Sequence, residues 1–211
     1  MSLRDSENTW VLGVFLGIVA LIAALALALV SDWTAGSIKA AQEKNRTAMF
    51  DRLQLDEFDR TGSDVMIGKM IFCAVYNAGK CIGFVGEGSA PGYGGSIDAM
   101  VGFDLSGKIT GVQILRHKET PGLGAEVCDR KFRRTILNLG VKAPEVPENI
   151  YLDQFKGQLA SGAGKWQIAK DGGKFIYRTG ATVSGRAVTS LVNDIAVSFA
   201  AHRMEIQEQS K

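Results

Sequence analysis

Histidine and cysteine are scarce in this 211-residue chain, which holds two of the first and three of the second. Three thiols cannot supply a four-Cys iron–sulfur cluster, and no Cys-x-x-Cys-His run marks a haem attachment. Redox work by this chain therefore calls for an organic cofactor. An excess of one charge is missing too: 24 Lys and Arg stand against 22 Asp and Glu, a net charge of +2. Nucleic-acid binding wants a strongly basic domain and, for single strands, stacking aromatics. Aromatics make up only 8% of the chain, so nucleic acid is not an expected partner. No Walker lysine is present, and Gly86-x-Gly88-x-x-x-Gly92 misses the dinucleotide fingerprint. Nothing reads as a metal site or a catalytic centre, and there is no internal repeat or low-complexity linker.

What is present begins with a composition that is 46% hydrophobic and 22% charged, which suits a folded protein. Glycine is in excess at 25 residues, pointing to tight turns and close backbone approach. The 21 residues from Trp10 to Val30 carry no charge. As a helix they span roughly 30 Å, the thickness of a bilayer's hydrocarbon core. Trp10 and Trp33 flank the run where interfacial aromatics belong. Ala26-Leu27-Ala28 resembles a signal-peptide cleavage site, but signal h-regions are shorter, and a retained membrane anchor is expected. Arg4 precedes the span, while Lys39, Lys44, Arg46 and Arg52 follow it. That bias alone would leave the domain in the cytoplasm. Long domains translocate largely regardless of charge, so the side stays open.

The expected organisation is a short tail at 1–9, a transmembrane helix at 10–33, a connecting helix at 34–58 and one domain at 59–211. Ile67 to Val85 alternates around Asn77-Ala78-Gly79-Lys80 and reads as a β-hairpin. Cys73 and Cys81 would then face each other as a disulfide or, more commonly, be buried thiols. Six glycines between Gly83 and Gly95 suggest a bent strand and a loop. A second hairpin runs Ile97–Leu105, turns at Ser106-Gly107 and returns over Ile109–Leu115. Cys128, Phe132, Ile136 and Leu139 recur at helical spacing before Gly140, with Arg130, Lys131, Arg133 and Arg134 as a solvated face. Trp166 to Arg178 reads as a third hairpin about Asp171-Gly172-Gly173. A last helix is expected from about Arg186 to Glu208, striped by Val188, Leu191, Val192, Ile195 and Phe199. The fold class is α+β: an antiparallel sheet flanked by helices.

Two segments carry candidate chemistry. Thr179-Gly180-Ala181-Thr182-Val183-Ser184 places hydroxyls and small residues before a helix, where unpaired amides and the helix dipole favour an anion. Thr182 or Ser184 equally serves as an ordinary N-cap. Glu119-Thr120-Pro121-Gly122-Leu123-Gly124 is either a binding loop or only a turn.

Together the two segments resemble the FMN-binding domain of the Rnf electron-transport complex, most of all that of its G subunit. The C subunit of the sodium-pumping NADH:quinone reductase carries a related domain. The resemblance also takes in the single span, Gly92-Tyr93-Gly94-Gly95 and Asp171-Gly172-Gly173, and so covers nearly the whole chain. It implies FMN bound covalently as a phosphoester of Thr182, with Thr179, Gly180, Ala181 and Val183 around the attachment point. It places Thr120, Leu123 and Gly124 near the flavin ring, with Glu119 and Lys165 close by. It further implies a flavin transferase that makes the bond, and a single-pass protein of the inner membrane whose domain is periplasmic. The function it implies is that of an electron carrier with no complete reaction of its own, in an ion-translocating ferredoxin:NAD oxidoreductase whose other subunits are its partners. The alternatives are a C-type subunit of the quinone reductase, or an anchored FMN-binding sensor. One position departs from the pattern. The family has an Asp three residues before the Thr-Gly-Ala-Thr run, where this chain has Ile176. That Asp belongs to the signal the transferase reads, so recognition of Thr182 is either weakened or shifted to Asp171.

Overall fold

The structure, a computed structural model, describes residues 4–50, 53, 55, 58–131, 144, 146–162 and 164–210. The chain divides into two units, Met1–Thr47 and Ala48–Lys211. The helix α1 (Arg4–Phe50) accounts for the described residues of the first unit and runs without a break through the expected span and most of the expected connecting segment. Within it Trp10–Ala35 is long and apolar enough to cross a membrane, with a mean hydropathy of 2.9. Its large apolar side chains are exposed, Trp10 and Trp33 most of all. A water-soluble helix buries such a face; one that does not is suited to lipid.

The second unit is built on a six-stranded antiparallel sheet in the order β1-β3-β4-β5-β6, with β2 also on β3. The strands are β1 (Arg60–Thr61), β2 (Val65–Ile67), β3 (Met70–Asn77), β4 (Lys80–Pro91), β5 (Ser96–Asp104) and β6 (Ile109–Arg116). Both expected hairpins are present. Ala78 and Gly79, with φ of 49° and 75°, form the two-residue turn between β3 and β4. Positive φ at both centres matches the right-handed twist of the flanking strands. At the β5–β6 turn Asp104 Oδ1 accepts from the amides of Ser106 (2.7 Å) and Lys108 (2.9 Å).

The register separates two of the cysteines. Cys73 lies opposite Val85, and Cys81 opposite Tyr76. Cys73 packs with the cluster on one side of the sheet, whereas Cys81 packs against the cluster on the other, and no disulfide joins them.

The domain is completed by α2 (Gly124–Cys128), α3 (Ile150–Asp153), a long α4 (Thr182–Gln209) and connecting turns. α4 lays Val188, Leu191, Val192, Ile195 and Phe199 on the sheet, all buried, as the 3.6-residue stripe demands. Phe199 stacks on Phe103 with ring centroids 4.2 Å apart and the planes 8° from parallel. The opposite side buries Cys73, Val75, Val85 and Met100 around Leu53, which is fully buried. Leu53 thus belongs to the domain core, although it falls within the stretch expected as a connecting helix. A Cβ at Gly111 would sit 2.8 Å from the Leu53 carbonyl oxygen, so the strand must be bare there for the chain to cross.

Three expectations need correction. Residues 166–178 do not form a hairpin: the single bridge there, Ile168 with Phe175, is parallel, and Ala169–Asp171 is a 3-10 turn closed by left-handed Gly172. Burial explains this, because Trp166, Phe155 and Phe175 gather into one aromatic cluster. Arg130 is not on a solvated face. Its guanidinium is buried and donates to Val112 O (3.0 Å), Pro147 O (3.1 Å) and Asp153 Oδ1 (2.6 Å). Finally, α4 starts four residues before the expected Arg186. The expected helical positions Phe132, Ile136 and Leu139, Gly140, and the basic residues Arg133 and Arg134, lie outside the described residues.

Candidate functional site

The early start of α4 decides the reading of Thr182. Ala181 is the N-cap residue, and a methyl side chain offers no oxygen to the first-turn amides. Thr182 is therefore the first helical residue rather than the cap. Ser184 is not the cap either, because its hydroxyl is buried and donates to Glu119 Oε2 at 2.5 Å. The start of a 28-residue helix thus has no side-chain cap. Its first amides and positive dipole end remain open to an anion.

That helix end opens into a cleft of about 400 Å³, within the usual size of a small-molecule site. Glu119, Thr120, Leu123 and Gly124 line one wall, and Gly180, Ala181, Thr182 and Val183 the other. The fold therefore brings the two sequence segments, some sixty residues apart, to one place. Gly180, at φ 86°, makes the left-handed step into the helix and leaves only Leu123 near its missing side chain. Leu123 and Val183 are exposed apolar groups at the rim, and Tyr93 lines the cleft at 74% exposure. Thr179 is exposed and is not among the lining residues.

Lys165 is not brought to the cleft. Its neighbour Trp166 is tied through its amide to Asn193 Oδ1 (3.3 Å), three helical turns beyond Thr182. Lys170 is the lysine that lines the cleft. Tyr93, Lys170 and Ser184 thus join the site without having been singled out in the sequence as ligand contacts. Tyr93 had a signal in its glycine setting, Ser184 in its place beside the helix start, and Lys170 had none.

Charge around the helix start is ordered. Arg186, one turn after Thr182, holds Asp171 through two 2.7 Å bonds. This pairing keeps the Asp171 carboxyl below the ordinary carboxylate range. Arg178 donates to Gly122 O at 3.1 Å and braces the loop. Beneath the loop His117 meets Asp129 at 2.8 Å, and Lys131 also pairs with Asp129. Burial pushes the Cys128 thiol up to about 12, helped by the charges of Glu119 and Asp129, so it is an inert packing group. Among the described residues no group of His, Cys, Asp and Glu could hold a metal ion.

By fold and cleft this is an α+β domain whose cleft holds an uncapped helix end and a neighbouring hydroxyl, with apolar groups at the rim. It belongs to the FMN-binding domain family, whose profile matches residues 92–197, from the β4–β5 tip into α4. The G subunit of an ion-translocating oxidoreductase complex from Cereibacter sphaeroides is 30% identical, covering 96% of this chain and 90% of that protein. The protein of the same name from Shewanella oneidensis is 28% identical over 93% of this chain and 92% of its own. Among solved structures, the C subunit of a Na(+)-translocating NADH-quinone reductase from Parabacteroides distasonis is 18% identical, with a TM-score of 0.43 over 62% of this chain and 61% of that one. The residues present fit FMN: open amides for a phosphate, and apolar and aromatic rim groups for a flat ring.

Proposed function

We propose that this chain is a membrane-anchored FMN electron carrier in an ion-translocating oxidoreductase complex of the Rnf type. The near full-length match to G subunits of such complexes supports this, as does the apolar stretch of α1. Bound FMN supplies reversible electron acceptance and donation; the chain positions it. The proposal takes the phosphate to be joined to Thr182 as a phosphoester made by a flavin transferase. The observation that carries it is the uncapped start of α4, which leaves the Thr182 side chain in the cleft with no capping duty. A phosphoester to a hydroxyl needs a flavin nucleotide whose phosphate is activated as an anhydride. The Thr182 oxygen would bond to the flavin phosphorus, the anhydride P–O bond would break, and the second phosphate group would leave. The hydroxyl proton would pass to a base of the transferase. Gly180 and Ala181 keep the approach to that oxygen free of bulk. Leu123, Val183 and Tyr93 would flank the ring, and Lys170 with the helix amides would face the phosphate. With Ile176 in place of the family's Asp, the transferase signal is proposed to rest on Asp171. Arg186 holds that carboxylate beside the helix bearing Thr182.

Other members of the complex would bind ferredoxin and NAD. The domain is proposed to lie on the extracytoplasmic face of the inner membrane, where a covalent bond prevents cofactor loss. Co-expression with a flavin transferase tests the reading: the full-length chain should run as a fluorescent band on a denaturing gel. Thr182→Val should abolish that band, whereas a colourless wild-type chain of unmodified mass overturns the proposal. A periplasm-specific reporter fused after Lys211 should be active, and one active only in the cytoplasm reverses the sidedness.

A further inference from the structure

Glu119 is 5% exposed, yet it is one of the residues lining the cleft. Oε1 accepts from the Gly94 amide at 3.1 Å and Oε2 from the Ser184 hydroxyl at 2.5 Å. Its own amide donates to His117 Nδ1 at 3.2 Å. Three segments distant in sequence thus meet on one side chain: the β4–β5 tip that carries Tyr93, the Glu119–Gly124 loop, and the first turn of α4.

The surrounding glycines acquire a physical reason. A Cβ at Gly92 would overlap Glu119 Oε1, and one at Gly124 would overlap Glu119 Oε2 and Ser184 Oγ. Both glycine-bearing motifs therefore make room for this carboxylate, and not only for a ligand. Burying a carboxylate is costly unless it is paired or well hydrogen-bonded. Among the described residues the partners of the Glu119 carboxylate are a hydroxyl and an amide, with no cation.

Resting on the FMN reading above, we infer that Glu119 is the positioning residue of this site. It clamps the Tyr93 tip and its own loop to the first turn of α4, which sets where Thr182 stands. As a carboxylate in the wall of the cleft it would disfavour the more negative, reduced flavin and so hold a bound cofactor more reducing.

The two roles separate by substitution. Glu119→Gln keeps an oxygen for Gly94 and an N–H for Ser184 Oγ but removes the charge. Glu119→Ala removes both, and Ser184→Ala removes only the link to α4. In the unloaded full-length chain in detergent, amide exchange at Gly94 should quicken about tenfold in Glu119→Ala and stay near wild type in Glu119→Gln, the size of one net hydrogen bond. After co-expression with the transferase, flavin fluorescence should fall in Glu119→Ala and Ser184→Ala and be rescued in Glu119→Gln. The midpoint potential of loaded Glu119→Gln should lie above that of wild type. Unchanged Gly94 exchange or full loading in Glu119→Ala overturns the clamp. If Glu119→Ala does not fold, full loading in Ser184→Ala overturns it instead. An unshifted potential in Glu119→Gln overturns the electrostatic role. A wild-type chain that takes no flavin defeats the FMN reading, while Gly94 exchange in the unloaded chain still decides the clamp.

Discussion

The hydroxyl of Ser184 lies 2.5 Å from Oε2 of Glu119, buried and joining residues 65 positions apart. This bond ties the wall of the cleft to the helix that carries Thr182, and the space around it is filled. Gly124 is where that crowding is most severe, because an added methyl meets both bonded oxygens. Gly124→Ala should therefore destabilise the domain by about 1–3 kcal/mol, the usual cost of overpacking. It should also lower flavin loading. Urea unfolding followed by circular dichroism, together with gel fluorescence, measures both effects.

Leu53 is fully buried against the sheet side opposite α4. Leu53→Ala should cost about 2–5 kcal/mol, by loss of transfer energy and creation of a cavity. Because the cleft lies around α4, flavin fluorescence per folded molecule should stay unchanged. A smaller loss in urea unfolding than about 1 kcal/mol would show that the segment after α1 is not part of the core.

Ala78 holds φ at 49° in the β3–β4 turn, a region that L-residues with a Cβ rarely adopt. Its amide bonds to Asp59 Oδ2 at 2.8 Å, which helps keep it there. Ala78→Gly relieves the steric cost but loosens the unfolded chain, and the first term is the larger at left-handed positions. A gain of about 0.5–1 kcal/mol is expected. A drop in thermal midpoint would contradict it.

Cys128 gives the domain an alkaline limit. Its thiol ionises in the unfolded chain near 9.0 but in the folded chain only at about 12. Between those values the unfolded state binds fewer protons than the folded one, so stability falls as pH rises through this window. Below 9.0 the contribution is constant. Cys128→Ala should flatten the decline in urea midpoints between pH 9 and pH 11 relative to wild type. At pH 8 the native Cys128 should resist alkylation that proceeds readily in urea.

The elements that could be read from the chain are those whose signal is local. Residues 70–91 and 96–116 alternate with period two around turn residues, and burial on both sides of the sheet keeps that register. The stripe from Val188 to Phe199 needs only 3.6-residue spacing to face one way. The run from Trp10 to Val30 declares its solvent by having no charge. These depend on neighbours in sequence, and backbone geometry converts them directly into structure.

What decided the site was contact between distant segments. No local rule places an N-cap at Ala181, since cap preference favours Thr182 or Ser184; Ser184 is taken by Glu119, and the helix already begins at Thr182. Residues 166–178 look like a hairpin, but Trp166 and Phe175 find a better partner in Phe155 than in a ladder of their own. Arg130 reads as one of a basic group until Asp153 and two carbonyls draw it inward. Lys170 rather than Lys165 meets the cleft because the 3-10 turn carries the first to the helix start while Asn193 holds the chain beside the second farther along α4. The amino-acid order alone thus determined a lipid-suited helix, two antiparallel hairpins and an amphipathic final helix. Only the folded chain decided which hydroxyl stands open and which carboxylate lies beneath it, because burial and hydrogen-bond satisfaction are settled among groups that meet in space.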